Sequence, residues 1–183
     1  TAYQLTDVRR VMPVLADVHA GWLEEPFACN DFASYREAAK ITSLVPIAAG
    51  ENHYTRFEFG QMLMADAVKV WQPDLSKTGG ITEGLRIANM ASAFKIPLHA
   101  HSSATGLNHA ATLHFLSAIE NAGYFEACVS KFNPLRDMFG TIFKIGSDGC
   151  VEPPTGYGIG IEVDESLFDK YPSIDGPGYV VKF

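Results

Sequence analysis

The chain has 183 residues, 47% hydrophobic and 19% charged, with a formal net charge of -7. That composition suits one well-buried core and excludes a disordered chain, and the acidic balance, with no block of lysine and arginine, argues against a nucleic-acid surface. No apolar stretch approaches the about 20 residues needed to span a membrane. No signal-peptide pattern opens the chain, and Cys29, Cys128 and Cys150 lie far apart without a CxxC pair, so reduced thiols in a cytoplasmic protein are expected.

In chain order, Thr6-Asp7 reads as the start of a helix over Val8 to Ala20, with apolar Val8, Val11, Met12, Leu15 and Val18 at helical spacing and Pro13 early enough to be tolerated. A short strand follows at Trp22. Asn30-Asp31 caps a second helix reaching about Lys40. Pro46 to Gly50 is the next strand, Arg56 to Ala65 a helix, and Val68 to Gln72 a third strand. Thr78-Gly79-Gly80 opens a long helix to about Phe94. The apolar run Ile96-Pro97-Leu98 ends abruptly in His99-Ala100-His101, as a buried parallel strand does when it delivers a polar side chain at its carboxyl end. Leu107 to Ala118 is a helix and Tyr124 to Cys128 the fifth strand. Beyond Phe132 the chain is punctuated by Asn133-Pro134, Pro153-Pro154 and several glycines, with a hairpin expected between Ile142–Ile145 and Cys150–Glu152.

Strand and helix thus alternate as an α/β protein with a parallel sheet. Each strand runs into a polar residue: Glu24, Glu51, Asp74, His101 and Glu126, spaced by roughly 25 residues, the length of one strand, one helix and two short loops. An open doubly wound sheet and a closed (β/α) barrel compete. Polar residues at five successive strand ends favour the barrel, whose sites draw on many strand ends. Only five strands are visible, so about three more belong on the N-terminal side. Residues 1–131 are then a partial barrel and 132–183 a tail that packs on something else.

Chemically, Glu24 and Glu51 are candidate ligands of a hard divalent cation, against the plainer reading of surface acids that cap helices. His101 with Asp74 forms a candidate imidazole–carboxylate pair on neighbouring strands, against a satisfied core histidine. Glu126, buried opposite a substrate, would stay protonated and donate to an oxygen gaining charge; the alternative is a solvated acid. His99, His109 and His114 read as structural. Gly79-Gly80 is only a weak phosphate cradle, since no GxGxxG or GxxxxGK is present.

The segments Trp22-Leu23-Glu24-Glu25-Pro26, Gly50-Glu51-Asn52, Gln72-Pro73-Asp74-Leu75-Ser76-Lys77-Thr78-Gly79-Gly80, His101 and Tyr124-Phe125-Glu126 resemble, in order and spacing, the mandelate racemase branch of the enolase superfamily. The resemblance implies strands four to eight of a (β/α)7β TIM-like barrel, with a tail packing on a capping domain. It implies Mg2+ bound by Glu24 and Glu51, an acid/base dyad of Asp74 and His101, and Glu126 as hydrogen-bond donor to the substrate carboxylate. The superfamily pattern of a Lys or His base with magnesium and an ene-diolate is an established one. The family's aspartate ligand on the third strand and its second-strand lysine motif have no counterpart here. Asp74 stands where the muconate cycloisomerase and dipeptide epimerase branches carry lysine, which counts against those activities. The expected function is a magnesium-dependent dehydratase of a hydroxylated carboxylate, an acid sugar or a tartrate-like diacid. A racemase or epimerase of a 2-hydroxy acid is the runner-up, and a non-catalytic metal-binding barrel fragment comes third. The expected partners are a small carboxylate substrate and further copies of the chain in a homo-oligomer, with neither nucleic acid nor membrane.

Overall fold

A computed structural model of the chain describes residues 2–41, 45–103, 105–172 and 175–176. Helix α1 (Leu5–Asp17) opens on a capping box in which the Gln4 amide N–H donates to Asp7 Oδ2 at 2.8 Å, and it carries Pro13 within its length. Strand β1 (Leu23–Glu24), α2 (Phe32–Ala39), β2 (Ile47–Ala49), α3 (Thr55–Ala65) and β3 (Val70–Trp71) alternate as expected. Asp31 caps α2, accepting from the Ser34 amide at 3.0 Å.

The helix expected from Thr78 to about Phe94 begins at Gly80, and a further single turn that the sequence did not point to precedes it. Asp74 caps a single-turn α4 (Leu75–Thr78), the chain breaks at Gly79 with φ 120°, and α5 (Gly80–Ala93) follows. The break falls where only glycine is at ease, which turns the backbone between the two helices. α6 (Gly106–Ala118) and the single turns α7 (Pro134–Asp137) and α8 (Leu167–Lys170) complete the described elements.

Strands β1, β2 and β3 pair in parallel in that order, with Leu23 opposite Ile47 and Ala49 opposite Trp71. The ladder continues through single parallel bridges, Trp71 to Leu98 and Leu98 to Ala122. The fifth strand expected at Tyr124–Cys128 is therefore corrected: pairing ends at Ala122, where Gly123 N–H donates to Leu98 O, and residues 124–128 are irregular. The expected hairpin is likewise only a turn. Gly146 N–H donates to Cys150 O at 2.8 Å and no strand flanks it.

Strand order follows sequence order without reversal, so this sheet has no topological switch point of the kind an open doubly wound sheet uses. It is also strongly curved. Four strand spacings in a flat sheet would set its first and fifth members about 19 Å apart. Yet the rings of Trp22, beside β1, and Tyr124, beyond the fifth position, lie 6.3 Å apart, with His99 5.1 Å from Trp22 and 5.0 Å from Tyr124. The ring cluster sits inside the arc, as the side chains of a barrel interior do.

The helices form an outer layer in which α1 packs on α2, α2 on α3, α3 on α5 and α5 on α6. Between them and the sheet lies one core of Val8, Met12, Tyr35, Ile47, Phe59, Trp71, Ile87, Leu98 and Phe115, each nearly or fully excluded from solvent. Glu83 on α5 ties the start of α3 to this layer. It accepts from the Arg56 amide at 2.9 Å and pairs with Arg56 and Arg86 at 2.8 and 2.9 Å. Those donors, the Arg56 amide first, hold its carboxyl at about 2. Among the described residues no helix is long and apolar enough to cross a membrane. Of the tail expected over 132–183, residues 173–174 and 177–183 lie outside the described residues.

Candidate active site

Glu24, Glu51, Asp74 and His101 follow paired parallel strands and so sit at the same end of the sheet, while Glu126 reaches them from the irregular segment beyond Ala122. Asp74 ends β3 and caps α4, so its orientation is set locally. Oδ1 accepts from the Ser76 amide at 2.8 Å and the Ser76 hydroxyl at 2.6 Å. Asn108 Nδ2, from the first turn of α6, donates to the same oxygen at 3.1 Å. Oδ2 is left to face His101 Nδ1 at 2.6 Å. The other ring nitrogen, His101 Nε2, lies 2.8 Å from Glu51 Oε2. One buried imidazole thus joins two carboxylates from two different strand ends.

Both nitrogens face acceptors, so the ring fits its doubly protonated form. Burial alone would lower its pKa. The hydrogen bonds to Asp74 and Glu51, and the charges of Glu51 and Glu126, outweigh that and push it up to about 10. The effect is mutual. His101 holds the Glu51 carboxyl below its ordinary range, and at Asp74 the bonds from His101 and Ser76 overcome a burial that works the other way. Glu126 goes in the opposite direction. Burial raises its carboxyl pKa and the negative charges of Glu24, Glu51 and Asp74 add to this, with only His101 opposing. These couplings bring all five predicted residues into one electrostatic cluster.

Glu24 Oε2 accepts from Trp22 Nε1 at 2.9 Å and Gln72 Nε2 at 2.7 Å. Glu51 Oε1 accepts from Asn52 Nδ2 at 2.9 Å. Among the described residues neither carboxylate has a lysine or arginine ion pair. Two hard oxygen donors without a lysine or arginine ion pair, one of them shared with His101, fit a divalent cation as part of its shell, the rest being water and substrate oxygen. Among the described residues no three His, Cys, Asp or Glu side chains gather into a complete metal site.

The close approach of β2 to β3 beneath Glu51 depends on Gly50. A Cβ there would lie 2.6 Å from the backbone of Gln72, and the φ of 154° is one that side-chain-bearing residues avoid. Gly50→Ala is expected to destabilise the protein by about 1–3 kcal/mol through this overpacking, read as a lower urea midpoint at unchanged slope. An unaltered midpoint would mean that the two strands part without cost.

Several polar residues of the site have no signal of their own in the sequence. Asn52, Gln72 and Ser76 fall inside the motif segments without a role of their own, and Asn108 lies outside them, because each matters through a partner distant along the chain or through a turn formed only in the fold. Asn108 could have been suspected as a polar residue in the first turn of an otherwise alanine-rich helix. The other histidines serve packing. His99 packs at a tilt against Trp22 and Tyr124 and its Nδ1 accepts from the Tyr124 amide at 3.1 Å. His109 reaches Thr105 O at 2.8 Å and His114 reaches Ile159 O at 3.2 Å.

Comparison with known proteins adds to this geometry. A family model described as enolase C-terminal domain-like matches residues 1–167. The D-galactonate dehydratase of Ralstonia nicotianae is 36% identical over 151 residues, 80% of this chain and 39% of that protein. That of Xanthomonas euvesicatoria pv. vesicatoria is 32% identical over 154 residues, 81% of this chain and 40% of that protein. A solved structure of an enolase superfamily member from Polaromonas sp. JS666 is 81% identical with a TM-score of 0.93, over 99% of this chain and 48% of that one. The mandelate racemase/muconate lactonizing enzyme from Sulfitobacter sp. is 29% identical with a TM-score of 0.83, over 94% of this chain and 43% of that one. The chain therefore spans less than half the length of the relatives it matches. With parallel strands in barrel order and this match over most of its length, the chain belongs to the enolase superfamily, as its C-terminal, barrel-type domain.

Proposed function

We propose that the chain supplies barrel strands four to eight of a larger enzyme that dehydrates a hydroxylated carboxylate with magnesium as cofactor. The observation that carries this reading is the line Asp74–His101–Glu51, in which a buried imidazolium is held between two carboxylates at 2.6 and 2.8 Å. Magnesium, held by Glu24 and Glu51, would polarise the substrate carboxylate and make its α-proton more acidic.

The chain's own residues serve the steps that follow loss of the α-proton. A base takes the α-proton and leaves an ene-diolate. His101 gives its Nε2 proton to the departing β-hydroxyl, which leaves as water, and the resulting enol becomes a 2-keto acid. Asp74 holds the imidazole from the other side, keeping its ring orientation and raising its basicity for the return of the proton. Glu126, whose carboxyl burial and acidic neighbours shift toward the protonated form, is placed to donate a hydrogen bond to the substrate oxygen that gains charge.

The D-galactonate dehydratases among the relatives support dehydration of an acid sugar. The mandelate racemase/muconate lactonizing enzyme from Sulfitobacter sp. supports a second reading, racemisation of a 2-hydroxy acid through the same ene-diolate. The two part on one experiment. The complete protein with magnesium is incubated in deuterated water with hydroxy monoacids and diacids, including aldonates, aldarates and tartrates. A 2-keto product is the expected result. Deuterium at the α-carbon without loss of water would replace dehydration by racemisation, and no exchange at all with metal bound would end both readings for that panel.

A further inference from the structure

We propose that Asn52 is a positioning residue for Glu51, and that Lys77 fixes the direction of its amide. The inference deepens the reading of Glu51 as a magnesium ligand and rests on it. Asn52 directly follows Glu51 beyond the end of β2. Its Nδ2 donates to Glu51 Oε1 at 2.9 Å and to Glu25 Oε2 at 2.8 Å, so both amide hydrogens are spent on carboxylates from two adjacent strand ends. Its Oδ1 faces Lys77 Nζ at 3.4 Å, from the turn of α4.

A carboxamide has two ends of nearly equal shape, and only hydrogen-bond partners decide which way it lies. Turned over, Asn52 would set its carbonyl oxygen against two negative carboxylates and its NH2 against an ammonium. The acids on one side and Lys77 on the other therefore select the same orientation. Glu25 holds its end of this bridge while almost wholly buried, from a left-handed backbone conformation with φ 34°. Such a conformation is uncommon for glutamate and is kept only where the surroundings enforce it.

The consequence falls on Glu51, a side chain with three rotors. With Oε1 taken by Asn52, the carboxylate plane is set and Oε2 is the oxygen turned to His101. Outer-shell partners that orient a ligating carboxylate are typically worth about 10–100-fold in metal affinity. Neither Asn52 nor Lys77 touches the reacting atoms, so both act through Glu51.

The test uses the complete protein and Mg2+ titrated by calorimetry. Asn52→Leu keeps the volume and removes every hydrogen bond, and its Kd for Mg2+ is expected to rise by about 10–100-fold. Activity lost at limiting magnesium should return when magnesium is raised, which a merely misfolded site would not do. Lys77→Met is half-buried and leaves the core untouched; its Kd should rise by less, because the amide is then held by the acids alone. An unchanged Kd in folded Asn52→Leu overturns the proposal, and if that variant fails to fold, an unchanged Kd in Lys77→Met does so. Glu51→Gln separates the two levels. Wild-type affinity in that variant would end the ligand reading itself, whereas lost affinity there with none lost in Asn52→Leu would end only the role of Asn52.

Discussion

The complete protein carrying His101→Asn is expected to lose about 10²–10⁴ in kcat, the usual worth of a positioned proton donor, while still binding magnesium. Asparagine can retain one hydrogen bond toward Asp74, but it has no proton to give to a leaving hydroxyl. It also cannot bridge two carboxylates whose contacts to the ring lie on opposite nitrogens. Rates of 2-keto acid formation and a calorimetric Mg2+ titration measure the two halves separately. Full activity in the variant would remove His101 from the chemistry.

Asp74→Asn should lower kcat by about 10²-fold and displace the pH profile in a direction that the site's electrostatics dictate. His101 acts in its protonated form, which persists below its pKa. Burial depresses that pKa, and the bond to Asp74 is the foremost of the effects that carry it back up to about 10. Without the carboxylate the pKa falls, so the alkaline limb of kcat moves to lower pH. Stability follows the same sign. A histidine whose folded pKa is raised contributes stability that is fully present below its ordinary value of about 6.5 and is lost as pH rises through the folded pKa. The upper end of that window therefore moves down in Asp74→Asn. Denaturation midpoints measured from pH 6 to 10 check this, and an alkaline limb that stays in place would show that Asp74 does not set the state of His101. Asn108 and Ser76 lose their acceptor's charge in the same variant, so part of the loss in midpoint belongs to them.

The five polar residues were legible because each is a local event: a short apolar run, then an acid or histidine, repeated at the spacing of one strand and one helix. What joins them was not. The partners of His101 lie 27 residues away at Asp74 and at Glu51 on the strand before, and Asn108 reaches Asp74 across 34 residues. No periodicity within a window of one element records such pairs. For the same reason the sequence could pair Asp74 with His101 as neighbours yet could not foresee that the second nitrogen of the ring faces Glu51.

The expected fifth strand fails to form for a tertiary reason. Tyr124 to Cys128 has the apolar character of a strand, but its rings are drawn elsewhere. Tyr124 goes into the cluster with Trp22 and His99, Phe125 against His109 and Phe143, and the ladder stops at Ala122. Gly79-Gly80 does open the long helix; the short helix capped by Asp74 ahead of it has no signal in the sequence, and Gly79 turns the chain between the two. By itself the sequence determined the alternation of strand and helix, the family, and the residues at the strand ends, since hydrophobic period and turn chemistry act over a few residues. Only the tertiary structure decided the curvature that brings Trp22 to Tyr124, the imidazole held between two acids, and the amide bridge of Asn52, because those depend on distances between strands that pairing and packing alone set.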